Sequence, residues 1–292
     1  MRLFVLVPVL TVSLVAALLE GAEPSDAAAA QSVFAKDNLV AWCIVPFDAK
    51  NRSPQERAEM LVRLGIRKLA YDWRQQHVPT FEDEIVQMKR HQIDFFAFWG
   101  THPEFTELMQ KHGIKPQIWV MMHSPNQGSH EQKIEAAARL LLPVVEQTRQ
   151  WGCKLALYNH GGWAGQPANL AGVAEWLRVH HGAEHVGIVY NLHHGHEHIA
   201  RFAEALALMQ PYLFCLNLNG MNDNELPKIL PVGQGQHDLT LLRIIRESGY
   251  AGPIGILDHR DGVDAEEALR ANLDGMKSLL RQLDDQAALS TY

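Results

Sequence analysis

The chain has 292 residues, of which 47% are hydrophobic and 20% are charged, so it can bury a large core. Acidic residues outnumber basic ones by 33 to 26, which gives a formal net charge of −7 at pH 7. Because there is also no dense basic stripe, this balance excludes a protein whose main partner is nucleic acid. The length suits one large α/β barrel or two small domains, and no Pro/Ser-rich linker follows the N-terminal region, which favours one domain.

The N-terminus is typical of a targeting segment. Arg2 precedes an apolar run from Leu3 to Leu19, and small residues follow this run. The run is slightly short for a helix that spans a bilayer, which favours a cleaved signal peptide over an uncleaved anchor. We therefore expect residues 1–30 to be a signal peptide and an Ala-rich spacer, with a mature chain that begins between Gly21 and Gln31. The mature protein is expected to be periplasmic or secreted, without stable insertion in a membrane.

After the spacer, strand patterns and helix patterns alternate along the chain. The predicted strands begin at Leu39, Ile66, Ile93, Pro116, Leu155, Val186, Leu213 and Ile254. The predicted helices cover about residues 53–64, 80–91, 103–112, 129–150, 169–180, 197–209, 238–248 and 264–283. Eight strand-helix pairs in this order predict a single-domain (β/α)8 TIM barrel over residues 36–285 rather than a doubly wound sheet. No Gly-rich phosphate loop follows the first strand, so no nucleotide cofactor is expected.

Four apolar runs in the second half of the chain end in Asn, His or Asp: LALYNHGG, VGIVYNLHHGHEH, LFCLNLNGM and IGILDHR. The carboxyl ends of the strands carry the active-site loops of a TIM barrel, so these polar ends are expected to meet at one mouth. The expected rim consists of Asp72, Trp73, Arg74, Trp99, His102, His123, Asn159, His160, Asn191, His194, Asn217, Asn219, His237, Asp258, His259 and Arg260. A single His at a strand end is usually structural, but several at one mouth favour a functional role for His160 and His194.

The residue types on this rim suit the hydroxyl groups of a small neutral carbohydrate. Asn217 and Asn219 are two residues apart on a strand, so both point to one side, where their amides can donate and accept hydrogen bonds. The Trp side chains could stack on a sugar ring or, equally, cap the barrel core. The candidate substrate-binding residues are Trp73, Trp99, His123, Asn159, Asn191, Asn217, Asn219, His237 and Arg260. An unphosphorylated ligand is expected, because residues 222–225 (NDNE) offer no basic side chain in a late loop.

Three segments resemble the xylose isomerase-like TIM barrels, a superfamily that includes sugar phosphate isomerases and epimerases, inosose dehydratases and relatives of endonuclease IV. KLALYNHGG, from Lys154, is similar to the family's fifth strand, an apolar run followed by Glu-Asn-His. VGIVYNLHHGH, from Val186, is similar to its sixth strand, in which an Asp is followed three residues later by a His. GQGQHDLTLLRIIRESGYAGPIGILDH, from Gly233, is similar to its final loop, helix and strand. The resemblance covers about residues 39–283 and implies a sugar-modifying (β/α)8 barrel.

The resemblance also implies where a metal ion would bind. Family members often hold one divalent ion with carboxylates from strands five, six and eight and with a His. The strand-five Glu falls at Tyr158, the strand-six Asp at Asn191 and its companion His at His194. The strand-eight acid falls at Asp258, so His194 and Asp258 keep the family's residue type.

Two outcomes for a metal ion follow from the charge of this donor set. Hard divalent ions favour anionic oxygen ligands. Because Tyr158 and Asn191 stand where the family has carboxylates, about one negatively charged ligand, Asp258, remains. His160, His194 and His259 with Asp258 could instead form a nitrogen-rich set suited to zinc, nickel or iron(II). The expected cofactor is one divalent metal (zinc, manganese, nickel or iron) with His160, His194 and Asp258 as candidate ligands, or none.

Two classes of function fit these features. The favoured class is an exported isomerase, epimerase or lyase that removes a proton next to the carbonyl group of a neutral sugar or keto-sugar. Its candidate catalytic residues are His160, His194 and Asp258, each as a base, a ligand or an orienting group. The alternative is a catalytically lapsed barrel that binds carbohydrate without converting it. The substituted family carboxylates favour the binder, and the dense His set favours the enzyme.

Overall fold

The computed structural model describes residues 32–257 and 259–292, and these form a closed barrel of eight parallel strands. The strands are β1 (Leu39–Trp42), β2 (Lys68–Tyr71), β3 (Asp94–Trp99), β4 (Gln117–Met121), β5 (Leu155–Tyr158), β6 (Val186–Asn191), β7 (Leu213–Leu218) and β8 (Ile254–Leu257). Each strand pairs with its neighbours in chain order, and β1 closes the barrel on β8. The predicted (β/α)8 barrel is therefore confirmed. The predicted signal peptide and the start of the mature chain lie outside the described residues.

Helices surround the barrel and alternate with its strands. They are α1 (Pro54–Leu64), α2 (Phe81–Arg90), α3 (Pro103–His112), α4 (His130–Trp151), α5 (Gly162–Gly165), α6 (Pro167–His181), α7 (Phe202–Met209), α8 (Asp238–Glu247), α9 (Ala265–Gln282) and α10 (Gln286–Leu289). Local signals set their ends: Ser53 and Glu56 form a capping box before α1, and Gly65 ends it in the left-handed region at φ 71°. In the described part of the chain, no helix is both long and apolar enough to cross a bilayer.

The segment before α7 differs from its prediction. A helix was expected from about residue 197, whereas residues 196–201 form a 3-10 turn and the α-helix begins at Phe202. The turn buries His198, whose Nδ1 lies 2.8 Å from the Tyr190 hydroxyl and whose Nε2 lies 3.1 Å from Gln166 Oε1. These contacts join the turn to a buried strand and to the residue that precedes α6. Sequence periodicity does not predict a 3-10 turn of this kind.

The core has two apolar layers. One apolar layer fills the space between strands and helices, and a smaller one fills the barrel interior. In the interior, the fully buried Trp119 packs against Trp42 with ring centroids 4.8 Å apart. Small side chains such as Ala70, Ala97 and Ala156 surround these large rings. The interior is thus packed below Trp42, as in other TIM barrels.

Candidate active site at the mouth of the barrel

A cavity of about 100 Å³ lies at the carboxyl ends of the strands. It is lined by Trp42, Cys43, Phe47, Asp72, Arg74, Trp99, Tyr158, His160, His193, His194 and His259. These residues come from the ends of β1, β2, β3, β5 and β6, from the loops that follow them, and from the loop after β8. This is the end of a TIM barrel where catalytic residues collect.

Asp72 follows β2 directly and is 2% exposed. Neither of its carboxylate oxygens has a hydrogen-bond partner of normal geometry. Burial raises the pKa of Asp72 to about 7, while the Arg74 charge and weaker polar contacts from Cys43 and the Val45 backbone act in the opposite direction. Asp72 therefore has similar amounts of its ionised and protonated forms near neutral pH, so it can take or give a proton there.

Four imidazoles lie close together on the other side of the cavity. Ring centroids are 4.6 Å apart for His160 and His194, 3.7 Å for His193 and His194, and 5.7 Å for His193 and His259. Burial, followed by the nearby His160 and Lys228, lowers the pKa of His194 to about 3. Burial also lowers the pKa of His193 and, less strongly, that of His259. These three rings are neutral at pH 7, so each has one N–H donor and one nitrogen acceptor.

Aromatic side chains form the apolar wall of the cavity. Trp99 and Tyr158 meet edge to face with ring centroids 4.6 Å apart, and the Trp42 ring lies 6.0 Å from that of Trp99. Burial raises the pKa of the Tyr158 phenol well above its usual range, so this side chain is neutral. Across the mouth, the Phe47 ring lies 3.9 Å from that of His259. An apolar wall with a few converging polar groups is the usual composition of a small-molecule site.

Three of the predicted substrate-binding Asn residues bond to one another or to the backbone. Asn217 Nδ2 donates to Asn191 Oδ1 at 2.8 Å. Asn159 Nδ2 donates to the backbone carbonyl of Asn191 at 2.9 Å, and the Asn191 backbone N–H donates back to Asn159 Oδ1 at 2.7 Å. All three are buried, and none lines the cavity. Gly255 makes this possible, because a Cβ there would lie 1.7 Å from Asn217 Oδ1.

The other predicted site residues divide by their position. Trp99, His160 and His194 line the cavity. Trp73, His123, Asn219, His237 and Arg260 are not among its lining residues. Asp258 lies outside the described residues. Among those away from the cavity, Trp73 Nε1 donates to the Trp99 carbonyl at 2.7 Å, and Asn219 Nδ2 donates to the Gly220 carbonyl at 2.9 Å. His237 Nε2 lies 2.7 Å from Asp223 Oδ1 in a separate surface cleft of about 440 Å³.

Asp72 and His193 line the cavity, but the sequence predicted no role for either residue. Asp72 was expected on the rim because it ends a strand, but nothing local indicated that it would be buried without a hydrogen bond of normal geometry. His193 is 1% exposed, and neither of its ring nitrogens has a hydrogen-bond partner. The sequence offered two signals that point to His193 as a residue of the site: it follows a strand end, and it precedes His194.

The described residues do not form the metal site that the resemblance implies. Tyr158 and Asn191 replace two carboxylates, and Asn191 Oδ1 already accepts a hydrogen bond from Asn217. Within residues 32–257 and 259–292, no three His, Cys, Asp or Glu side chains are arranged to hold one metal ion. The neutral phenol and amide oxygens are poor substitutes for the anionic oxygens that hard divalent ions favour. We therefore derive no step through a metal ion.

Comparisons with known proteins agree with the fold. The family model described as xylose isomerase-like TIM barrel matches residues 74–279. No curated protein sequence matches the chain significantly. Among solved structures, an E. coli 3-keto-D-glucoside 4-epimerase is 16% identical, with a TM-score of 0.63 over 83% of this chain and 100% of its own.

Two further solved structures have similar scores. The IolI protein, solved with a zinc atom, is 14% identical, with a TM-score of 0.65 over 83% of this chain and 98% of its own. A D-tagatose 3-epimerase-like protein is 13% identical, with a TM-score of 0.63 over 86% of this chain and 99% of its own. At these identities the structural similarity shows the fold alone.

Proposed function

Because the chain belongs to the xylose isomerase-like TIM-barrel family, we propose that it is a sugar-modifying enzyme whose substrate is a neutral sugar or keto-sugar. The proposed reaction begins with removal of a proton next to a carbonyl group, and isomerisation, epimerisation and elimination can all follow from that step. Solved structures with this fold include proteins named as sugar epimerases, which supports the substrate class.

One observation carries the proposal: groups that can move a proton and groups that can hold an oxyanion line the same cavity. His193 and His194 are neutral donors at pH 7, and Asp72 lies in the same lining. Proton removal next to a carbonyl creates negative charge on the carbonyl oxygen, and preorganised N–H donors stabilise that charge. The aromatic wall gives the cavity an apolar side, and hydrogen bonds are stronger in apolar surroundings than in water.

The charge of the cavity supports an unphosphorylated substrate. Arg74 is the one permanent cation in the lining, and its Nη1 donates to the backbone carbonyls of Asp72 and Trp73 at 2.8 and 2.9 Å. Two of its five N–H groups are thus in use, and among the described residues no second Lys or Arg lines the cavity to complete a phosphate site. Export, which we propose from the N-terminal sequence pattern, would also separate the protein from most sugar phosphates.

Product analysis tests this proposal. The purified protein is incubated with free ketoses, aldoses and 3-keto-glycosides, each paired with its phosphate ester where one exists, and the products are separated by chromatography and identified by NMR. We expect a new isomer, epimer or elimination product from at least one free sugar. Conversion of phosphate esters alone, or neither binding nor conversion of any free sugar, would contradict the proposal.

A binder without activity is the second candidate function. It is favoured by Tyr158 and Asn191, which occupy the positions where the family resemblance expects carboxylates. Thermal stabilisation by a free sugar without any product would support the binder and contradict the enzyme.

A further inference from the structure

The proposed function needs a group that accepts the substrate's proton, and the buried imidazoles are poorly suited to that task. A general base works best when its pKa lies near the working pH. Burial keeps the pKa of His194 near 3 and lowers that of His193 well below its usual value, so both rings resist protonation. These rings are better suited to donate a hydrogen bond than to hold a proton.

Asp72 differs from the other buried acids in the described part of the chain. Asp48 accepts from Arg52 Nη1 at 2.7 Å, and Glu84 Oε2 accepts from Arg57 Nη1. Asp238 accepts from three backbone N–H groups, and Asp285 accepts from a hydroxyl and a backbone N–H. Asp72 alone among them has no hydrogen bond of normal geometry to either oxygen, although it is 2% exposed.

Such a carboxylate needs an explanation, because an unsatisfied buried polar group costs about 1–3 kcal/mol, and more if it is charged. Asp72 lines the cavity, where His193, with both ring nitrogens unpartnered, is also found. The cavity thus has an acceptor, Asp72, and a donor, His193, that lack hydrogen-bond partners of normal geometry. A ligand with a C–H acid next to a carbonyl oxygen complements both kinds of group.

We propose that the Asp72 carboxylate is the catalytic base that removes the proton next to the substrate's carbonyl group. This assignment rests on the proposed function and adds to it the identity of the proton acceptor. The carboxylate takes the proton, the electron pair of the C–H bond becomes the new C=C bond, and the carbonyl π pair moves to oxygen. The N–H groups of His193 and His194 donate to that oxygen. The Asp72 carboxylic acid then returns a proton to the same carbon, or to the former carbonyl carbon after the hydroxyl proton of the neighbouring carbon has moved to the oxyanion, so that the new carbonyl group forms at that neighbouring carbon.

The size of the cavity indicates which part of a substrate enters it. At about 100 Å³ it is smaller than the roughly 300–1,000 Å³ of most ligand pockets. It therefore accommodates the reacting carbonyl end, and the remainder of a larger sugar extends out of the barrel. Dihydroxyacetone, the smallest ketose, contains this reacting unit and serves as a minimal probe.

Asp72→Asn tests the assignment, with Asp94→Asn as the matched control. Asn keeps the shape of the side chain and removes the base, and Asp94 begins β3 at the opposite end of the barrel. The full chain is incubated in D2O with dihydroxyacetone, D-fructose and D-tagatose, and loss of the carbon-bound proton signal is followed by NMR. We expect wild type and Asp94→Asn to exchange at similar rates and Asp72→Asn to lose about 10²–10⁴-fold in kcat with little change in KM.

Asp72→Ala with added formate provides a second variant. The substitution by Ala removes the carboxylate and leaves space for a formate ion. Formate is therefore expected to restore part of the proton exchange in Asp72→Ala and none in Asp72→Asn. Restoration in neither variant, when both retain the wild-type circular dichroism spectrum, would contradict the assignment.

The outcomes separate the two proposals. If wild type and Asp72→Asn exchange the carbon-bound proton of a ketose for deuterium at the same rate, the assignment of Asp72 is wrong and the proposed function stands. A raised KM with unchanged kcat also overturns the assignment, because Asp72 would then only bind. If wild type exchanges a proton of none of the three ketoses and also converts none of the free sugars or 3-keto-glycosides in the product analysis, the proposed function fails and the assignment of Asp72 fails with it.

Discussion

Asn217 donates a hydrogen bond from Nδ2 to Oδ1 of Asn191 at 2.8 Å, and both side chains are buried between β6 and β7. The same Asn217 also accepts from the Cys215 thiol at 3.3 Å. Asn191 stands where the family resemblance expects an Asp, so an amide pair replaces a carboxylate at this strand end. The pair joins two neighbouring strands and gives this position a structural role.

Asn217→Ala is expected to lower the free energy of unfolding by about 1–3 kcal/mol, because it leaves Asn191 Oδ1 buried without a donor. Urea denaturation of wild type, Asn217→Ala, Asn191→Ala and the double variant measures the coupling between the two side chains. We expect a coupling energy of at least about 0.5 kcal/mol. Additive effects of the two single changes would show that the amides do not interact.

Arg57 and Glu84 form a buried ion pair between α1 and α2, with the Arg57 side chain 4% exposed and that of Glu84 0% exposed. Arg57→Met is expected to lower the free energy of unfolding by about 3–5 kcal/mol, since it leaves the Glu84 carboxylate buried without its cation. The double Met variant should recover most of this loss, because two apolar side chains need no partner. Chemical denaturation measures both, and a double variant less stable than Arg57→Met would contradict this account.

Asp72 is expected to make the stability of the protein depend on pH. Its pKa is about 7 in the folded chain, against about 3.9 for an unfolded Asp. The stabilising contribution of the protonated side chain is therefore fully present below about pH 4 and is lost as the pH rises through about 7. Between pH 4 and 8, wild type should lose up to about 4 kcal/mol of unfolding free energy relative to Asp72→Asn. Denaturation curves at several pH values measure this difference, and a constant difference would show that the Asp72 pKa is not raised.

The N-terminal pattern makes a separate prediction. Protein purified from its native host should begin between Gly21 and Gln31, because small residues follow the apolar run that ends at Leu19. N-terminal sequencing or intact mass measurement checks this, and a chain that still begins with Met1 would contradict export by a cleaved signal.

The sequence predicts the fold well because its signals are local and repeat along the chain. Helix α3 has the same bounds in the prediction and in the structure, since Pro103 at its start and Gly113 after its end are signals that neighbouring residues do not override. Periodicity also places Asn217 on a strand end, yet it cannot show that Asn191 occupies its amide.

The candidate site is less predictable because its chemistry depends on residues distant in sequence. Asp72 lines the cavity together with Cys43, Tyr158 and His193, which lie at or just after the ends of three other strands. These neighbours decide whether the Asp72 carboxylate has hydrogen-bond partners, and the residues near position 72 in the sequence do not indicate it. The sequence placed His160 and His194 at one barrel mouth, but the separation of 4.6 Å between their ring centroids required the structure.

Deuterium incorporation during turnover tests the central claim most directly. A free sugar that the protein converts is incubated with wild type in D2O, and the product is examined by mass spectrometry and by proton NMR. Removal and return of a proton next to the carbonyl group predicts product with one deuterium at a carbon of the reacting carbonyl unit. Product formed at the same rate without deuterium, under conditions where the Asp72 carboxylic acid exchanges with solvent, would contradict proton abstraction as the mechanism.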